Sequence, residues 1–220
     1  MFKSLSLATC GCYLASRAVV RAVVGKEHLP ATGQAGVVVC NHNSLMDGAL
    51  LCAELIMKTR TPPHPLVIAD PFAHPLLGWF LRTAQAIPLD RKNAPAALQL
   101  ALGYLRRGEI ATIFPEGHLN QGRHLRLARP GAAWLALESG APVFPCGLRG
   151  TATVFPLDAR PRCARVVELH CGEPVATAEL SRRYHGANRA ERLALCQELS
   201  RTMMRRIADL CGIPPHRKNN

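Results

Sequence analysis

Short apolar runs alternate with helical stretches along most of this chain, and that alternation restricts the fold more than any other feature. The clearest run, AGVVVC, ends at Cys40 and predicts a buried strand, and a helical stretch follows it through about Lys58. Strands are also expected at 66–69, 86–89, 110–114, 143–148 and 165–170, and helices at 74–81, 93–107, 131–139 and 188–211. Alternation of this kind produces α/β layers. We therefore predict a single α/β domain with a mostly parallel or mixed sheet flanked by helices.

The length and charge of the chain indicate one folded domain with an anionic partner. A chain of 220 residues is the size of one domain, and an apolar fraction of 48% excludes a disordered protein. The formal net charge is +12, which favours nucleic acid, an acidic membrane surface, or a phosphorylated or acidic substrate. We expect the folded domain to span 25–213 and a basic tail to follow at 214–220.

The cysteines and histidines are scattered and form no disulfide or metal-binding pattern. The chain has nine of each, and no CxxC occurs. Most of the cysteines stand among apolar residues, where a free thiol behaves as a small hydrophobic group. We expect a reducing compartment, no disulfide framework and no metal site.

The first 24 residues have the pattern of a basic amphipathic helix. Arg17 and Arg21 fall on one narrow arc of a helical wheel, and residues such as Leu5 and Val19 fall on the apolar side. The two arginines interrupt the run of ~20 apolar residues that a membrane-spanning helix needs. We predict a helix over 1–24 that lies in a membrane interface. A helix packed on the domain's own core and a cleaved signal sequence are the alternatives.

Four polar clusters follow the expected strands, at the end of a sheet where ligands collect in open α/β folds. They are NHNSLMD (41–47), PLDR (88–91), FPEG (114–117) and PCG (145–147). Taken singly, each has an ordinary structural explanation as a loop histidine, a solvated ion pair or a turn. His42 alone is compatible with a polar loop residue, a metal ligand or a base. The four clusters together, in this order, are far more specific.

In this order the clusters resemble those of the glycerolipid acyltransferases, the family typified by 1-acylglycerol-3-phosphate acyltransferase. The first block of that family is NH followed after four residues by D, and it matches His42 and Asp47. The other three blocks match IPLDR at 87–91, FPEG at 114–117 and APVFPCG at 141–147. The resemblance covers about residues 25 to 150, and it identifies 25–213 as an acyltransferase domain.

The resemblance implies an O-acyltransferase that moves a fatty acyl group from a thioester to the hydroxyl of a lysophospholipid. The acceptor it implies is 1-acylglycerol-3-phosphate, in phospholipid synthesis. Such a transfer needs a base on the hydroxyl group. We assign His42 as this base and Asp47 as the carboxylate that fixes its tautomer. The acceptor itself is the nucleophile, and the chain contains no GxSxG elbow.

Four further residues are assigned to substrate binding. Arg91 matches the arginine that the family uses to hold phosphate. Arg129 stands where the family often has a lysine, just before the helix expected at Gly131, whose N-terminus favours an anion. Glu116 and Gly117 are carried over from the family as acceptor-binding positions. For Glu116, the alternative is a carboxylate that pairs with a nearby arginine.

The third block departs from the family pattern. The family usually continues FPEG with threonine and arginine, whereas this chain has His118 and Leu119. The departure removes a cation that could hold an acceptor phosphate. Another lysolipid or an amino-acid lipid is therefore the alternative acceptor.

The expected partners are membrane lipids and an acyl donor, either acyl-CoA or an acyl carrier protein. We expect no cofactor, and we place the protein on the cytoplasmic face of a membrane. A second alternative is a basic module that binds membranes or nucleic acid without catalysis. Aromatic residues make up only 5% of the chain, which leaves few stacking platforms for single strands, so we expect no nucleic-acid partner.

Overall fold

A seven-stranded sheet forms the centre of the computed structural model, which describes residues 14, 16–120, 124–157 and 159–215. Its strands are β1 (Val20–Val24), β2 (Gly36–Cys40), β3 (His64–Ile68), β4 (Ile87–Leu89), β5 (Ile110–Ile113), β6 (Val143–Arg149) and β7 (Val167–Cys171). Their order is β1-β7-β6-β2-β5-β3-β4. The β6–β7 pair is antiparallel and the other pairs are parallel. The predicted single α/β domain with a mixed sheet is confirmed.

Helices cover both faces of this sheet. They are α1 (Asp47–Thr59), α2 (Pro75–Thr83), α3 (Ala94–Arg106), α4 (Gly131–Ser139), α5 (Thr151–Val154), α6 (Ala178–Gly186) and α7 (Arg189–Cys211). Short 3-10 turns occupy Lys26–His28 and Asp70–Ala73. The long α7 begins with a capping box, in which Asn188 accepts from the N–H of Glu191 and the Glu191 carboxylate accepts from that of Asn188.

The central strand β2 explains why both faces are covered. Successive side chains of a strand point to opposite faces, and all five residues of β2 are buried. Val37 and Val39 pack in a cluster with α3, α4 and α7, whereas Val38 and Cys40 pack in a second cluster with α1. Complete burial of each such valine contributes about 1.5–3 kcal/mol relative to exposure. An unbroken apolar run is the pattern of a strand buried on both faces.

The helix predicted over 1–24 is wrong at its end, because Val20–Val24 form strand β1. This strand pairs in parallel with β7, and Val20 is almost completely buried. β-branched residues are favoured in strands, and strand β7 is available to pair with this segment. A helical wheel takes no account of pairing between strands. Residues 16–19 are helical, while 1–13 and 15 lie outside the described residues, as do 216–220 of the predicted tail.

The other expected elements are present with small shifts, and two were missed. Strand β3 begins at His64, two residues before the strand expected at 66–69, and β7 begins two residues later than expected. The helices α5 and α6 were not predicted. Asn93 stands at the start of α3, but its side chain makes no capping hydrogen bond.

The topology brings three of the four predicted clusters to one edge of the sheet, whereas PCG (145–147) lies buried inside strand β6. Strands β2, β3, β4, β5 and β6 are parallel, so their carboxyl ends lie together. The segments that follow β2, β4 and β5 begin with Asn41, Asp90 and Phe114. Across the described ranges, no helix combines the length and apolar character needed to cross a membrane.

Candidate functional site

The loop between β2 and α1 folds back so that His42 meets Asp47. The Nδ1 atom of His42 lies 3.1 Å from Oδ2 of Asp47. The same carboxylate oxygen accepts from the backbone N–H groups of Asn43 (2.6 Å) and Ser44 (2.7 Å). Asp47 is fully buried at the first position of α1. Its carboxylate therefore shapes the loop and orients the imidazole at the same time.

Two further contacts hold His42, one through its ring and one through its main chain. It stacks on Phe114, with 4.2 Å between ring centroids and 17° between the planes. The backbone carbonyl of His42 accepts from the N–H of Asn120 at 2.6 Å. Since Nδ1 faces Asp47, Nε2 is the nitrogen left for a substrate, and His42 lines a cavity with 21% of its side chain exposed.

Ser44 lies between the two residues of this pair and does not face the cavity. Its hydroxyl donates to the backbone carbonyl of Phe155 at 3.2 Å, and the residue is fully buried. A nucleophile must reach the reacting carbonyl, so this geometry disfavours a covalent role for the hydroxyl group.

Glu116 lies beneath the same loop, with 2% of its surface exposed. Its Oε1 accepts from the backbone N–H of His42 at 3.1 Å. Its Oε2 accepts from the side-chain amide of Asn120 (2.7 Å) and from the backbone N–H of Arg126 (2.9 Å). The contact with an arginine that the sequence suggested is thus made by the main chain of Arg126. The carboxylate joins the loops after β2 and β5.

A basic cluster, formed by Arg91, His118, Arg126 and Arg129, lies on one wall of the cavity. Nη2 of Arg91 is 3.2 Å from Nδ1 of His118, and Nη2 of Arg129 is 2.9 Å from Nε2 of the same ring. Burial and the charges of Arg91, Arg129 and Arg126 lower the pKa of His118 below its ordinary value. The ring is therefore neutral near neutral pH.

Gly117 allows Arg129 to reach this cluster. Its φ of 68° lies in the left-handed region, and a Cβ there would approach the Cδ and Nε of Arg129 to 2.5 Å. A side chain would both strain the backbone and displace the guanidinium group. The lack of a side chain at Gly117 therefore leaves room for the side chain of Arg129.

The cavity has a volume of about 830 Å³ and is lined by both polar and apolar side chains. His42 and the basic cluster supply its polar wall. The remaining lining is mainly apolar and comes from α1, β3 and α2, including Ala49, Ile56, Leu66, Leu77 and Phe80. Ligand sites usually occupy ~300–1,000 Å³. The cavity is suited to a molecule with an anionic head and a long apolar chain.

Metal-binding geometry and disulfides are absent from the part of the chain that the structure describes. No three His, Cys, Asp or Glu side chains there converge as a metal site would require. The described cysteines form no disulfide, and burial raises the pKa of the Cys40 thiol well above its ordinary value. A thiol in that state is a packing group with low reactivity.

Residues 20–149, more than half of the chain, match the sequence model of the acyltransferase family. The chain belongs to this family. The resemblance drawn from the four polar clusters is confirmed, and the matched span includes β1. The match to the family therefore begins within the segment that we had assigned to an N-terminal helix.

The chain is similar in sequence to named acyltransferases of a bacterium and a plant. A 1-acyl-sn-glycerol-3-phosphate acyltransferase of Bacillus subtilis is 28% identical over 160 residues, or 72% of this chain and 75% of that protein. The chloroplastic 1-acyl-sn-glycerol-3-phosphate acyltransferase BAT2 of Brassica napus is 28% identical over 142 residues, which is 61% of this chain. The alignment spans only 38% of the Brassica protein.

A solved structure supports the fold of this family member. The 1-acyl-sn-glycerophosphate (LPA) acyltransferase PlsC of Thermotoga maritima superposes with a TM-score of 0.67 at 22% sequence identity. The superposition covers 92% of this chain and 79% of the other. The fold therefore extends beyond the residues that the family model matches.

The structure brings together all six predicted site residues around one edge of the sheet, but with unequal exposure to the cavity. His42, Arg91, Gly117 and Arg129 line the cavity, whereas Asp47 and Glu116 are buried behind it. Sequence reasoning did not assign Phe114, Asn120 or Arg126 to the site. Phe114 stands in the FPEG block and His118 departs from the family pattern, so both carried a signal in the sequence, but neither was given a role.

Proposed function

We propose that this protein transfers a fatty acyl group from a thioester donor to the hydroxyl of a lysophospholipid, with 1-acylglycerol-3-phosphate as the acceptor, in phospholipid synthesis. The observation that carries the proposal is the oriented His42–Asp47 pair on a cavity that is basic at one wall and apolar elsewhere. The donor is acyl-CoA or an acyl carrier protein. No cofactor or metal takes part in the proposed reaction.

The proposed reaction uses one proton-transfer residue. Nε2 of His42 accepts the proton of the acceptor hydroxyl as its oxygen attacks the thioester carbonyl. Asp47 holds the tautomer and stabilises the imidazolium that forms. The tetrahedral intermediate then expels the donor thiolate, which takes the proton back from His42. An ester bond forms, a thioester bond breaks, and the free thiol of the donor leaves.

The two ends of the lipid match the two parts of the cavity. Arg91 and Arg129 bind the phosphate of the acceptor, since guanidinium groups pair with phosphate through parallel hydrogen bonds. The amino end of α4, whose first residue Gly131 lines the cavity, adds positive potential. The apolar lining from α1, β3 and α2 receives an acyl chain.

Membrane association at the cytoplasmic face belongs to this proposal. Leu76 and Trp79 on the outer face of α2 are 77% and 62% exposed, and Leu45 beside the cavity is 72% exposed. The inner face of α2 contributes Leu77 and Phe80 to the cavity. An exposed apolar surface continuous with a lipid-shaped cavity supports contact with a bilayer. The described cysteines form no disulfide, which supports the reducing side of that membrane.

Labelled acyl transfer with a panel of acceptors tests the proposal. The wild-type protein is incubated with lipid vesicles, acyl-CoA or acyl carrier protein, and one acceptor at a time. The acceptors are lysophosphatidate, glycerol-3-phosphate, lysophosphatidylethanolamine and an amino-acid lipid. We expect lysophosphatidate to be converted to phosphatidate most efficiently. Preference for another acceptor supports the alternative lysolipid or amino-acid lipid, and transfer to none contradicts the proposed activity.

A further inference from the structure

We propose that His118 selects the acceptor by taking up a proton when a phosphate monoester binds, so that it becomes a further cation around a dianionic phosphate. The inference rests on the proposed function and names the class of headgroup that the basic cluster prefers. A monoester is favoured over a diester, which carries a single negative charge.

The hydrogen bonding of the His118 ring is incompletely satisfied in the free protein. Its two nitrogens lie 3.2 Å and 2.9 Å from guanidinium nitrogens of Arg91 and Arg129, respectively. A guanidinium group only donates, and a neutral imidazole has one accepting nitrogen. In one of these two contacts, therefore, an N–H of the ring faces an N–H of a guanidinium group, and no hydrogen bond can form there. A phosphate between the three side chains supplies acceptor oxygens for all of them.

The His118 ring is surrounded by positive charge. The charged groups that face His118 are Arg91 after β4, and Arg126 and Arg129 in the segment before α4. Within the described residues, no carboxylate forms an ion pair with any of these three arginines. The surrounding cations disfavour a protonated ring in the free protein. A dianion placed among them reverses the local potential and favours the protonated ring.

The ionisation of the acceptor phosphate fixes the direction of the pH effect. The second pKa of a phosphate monoester is about 6, so the free acceptor is dianionic above neutral pH. Binding then requires uptake of a proton by His118. Monoester binding should consequently weaken as the pH rises from 7, and it should stop weakening once the pH exceeds the pKa of the ring in the complex. The diester has no second ionisation and gains less from the protonated ring.

The main experiment compares two acceptors with the same acyl chain, lysophosphatidate and lysophosphatidylglycerol, between pH 7 and 9. The ratio of their kcat/KM values cancels the titration of His42, since both acceptors present the same type of hydroxyl. In the wild type we expect this ratio to fall with pH, by up to about tenfold per pH unit. In His118→Gln the ratio should be lower by about 10- to 100-fold at pH 7 and independent of pH.

Two further variants sharpen the comparison. His118→Arg keeps a permanent cation, so its ratio should be independent of pH. His185→Gln changes an exposed histidine of α6 and should keep the pH dependence of the wild type. A pH-independent ratio in the wild type, or an unchanged pH dependence in His118→Gln, would overturn this inference alone. Failure of the wild type to acylate either acceptor would overturn the proposed function and this inference together.

A binding measurement does not depend on turnover. Calorimetric titration with lysophosphatidate, without acyl donor, is carried out at pH 7.5 in two buffers of different ionisation enthalpy. We expect uptake of up to one proton for each bound monoester in the wild type, and none in a folded His118→Gln variant. Equal proton uptake by both proteins would contradict the role of His118.

Discussion

At the scale of single residues, Glu116 shows how one buried carboxylate can connect two loops. It accepts hydrogen bonds from the main chain of His42 and of Arg126, which follow different strands. The first of these residues belongs to the catalytic pair that we propose, and the second belongs to the basic cluster. Its carboxylate therefore fixes the distance between the base and the phosphate site, and we regard it as a positioning residue.

The variant Glu116→Gln separates positioning from direct binding of the acceptor. The amide keeps the shape of the side chain but replaces one accepting oxygen by a donor, so the backbone of His42 or Arg126 loses its partner. A small displacement of a reacting group lowers turnover by about 10- to 100-fold. We expect kcat to fall while the KM for the acceptor changes little, as measured by steady-state kinetics with labelled acyl-CoA.

The matched control is Glu173→Gln, which changes an exposed carboxylate and should leave both constants unchanged. An increase in KM for the acceptor with normal kcat would instead assign Glu116 to acceptor binding, as the family resemblance implied.

The sequence predicted the His42–Asp47 contact because its determinants are local. The two residues are five apart across a strand-to-helix turn, and loops of that length fold back on themselves. The role of Glu116 was not predictable in the same way. Its hydrogen bond with His42 spans 74 residues, and only the parallel pairing of β2 with β5 brings the two together.

At the scale of elements, α2 stands out because it is apolar on two faces and has few buried residues. Gly78 is its one buried position, where a Cβ would meet the backbone oxygen of Phe72 at 2.3 Å. The outer face exposes Leu76 and Trp79, and the inner face lines the cavity. A helix of this kind is suited to a membrane interface, where tryptophan is favoured.

The double variant Leu76→Ser/Trp79→Ser tests the contact between α2 and a bilayer. Removal of two large apolar side chains costs at least about 1.5 kcal/mol if they are buried in lipid, which corresponds to about tenfold in affinity. We expect weaker sedimentation with vesicles that contain anionic phospholipid. The control is Leu193→Ser, which changes an exposed leucine on α7, and this variant should bind vesicles as the wild type does. Equal binding by both variants would exclude α2 from the membrane contact.

The elements that the sequence failed to predict share a physical cause. Strand β1 and helix α6 are specified mainly by their neighbours. The β-branched run at Val20–Val24 was compatible with either structure until β7 supplied a parallel partner. Helix α6 is mostly polar and buries only Ser181 and Tyr184, so it has too few apolar residues to mark it in the sequence. Strand β2 was predictable, because its apolar run is continuous and buried on both faces.

At the scale of the whole molecule, residues beyond the family match complete the core. The match ends at residue 149, but Leu199, Met203 and Ile207 of α7 are buried in the same cluster as Val37 and Val39. Helix α7 packs closely on β6 at Gly147, where a Cβ would approach the backbone nitrogen of Cys211 to 2.5 Å. The C-terminal helix is therefore part of the folded domain.

The variant Gly147→Ala tests this packing. A methyl group that meets backbone atoms must push α7 away from the sheet, and overpacking of this kind costs about 1–3 kcal/mol. We expect a lower Tm, by about 2–4 °C for each kcal/mol in a protein of this size. Gly186→Ala is the control, because nothing lies within 4 Å of a Cβ there. An unchanged Tm in Gly147→Ala would show that α7 can move without cost.

Acyl transfer by a folded His42→Ala variant tests most directly whether this imidazole is the base. Turnover is measured with labelled acyl-CoA and lysophosphatidate in the presence of vesicles, and circular dichroism verifies the fold. Removal of the base should lower kcat by about 10²–10⁴-fold, and Asp47→Asn should also lower it, because the tautomer is no longer fixed. Turnover close to that of the wild type in His42→Ala would contradict the assignment of His42 and the mechanism built on it.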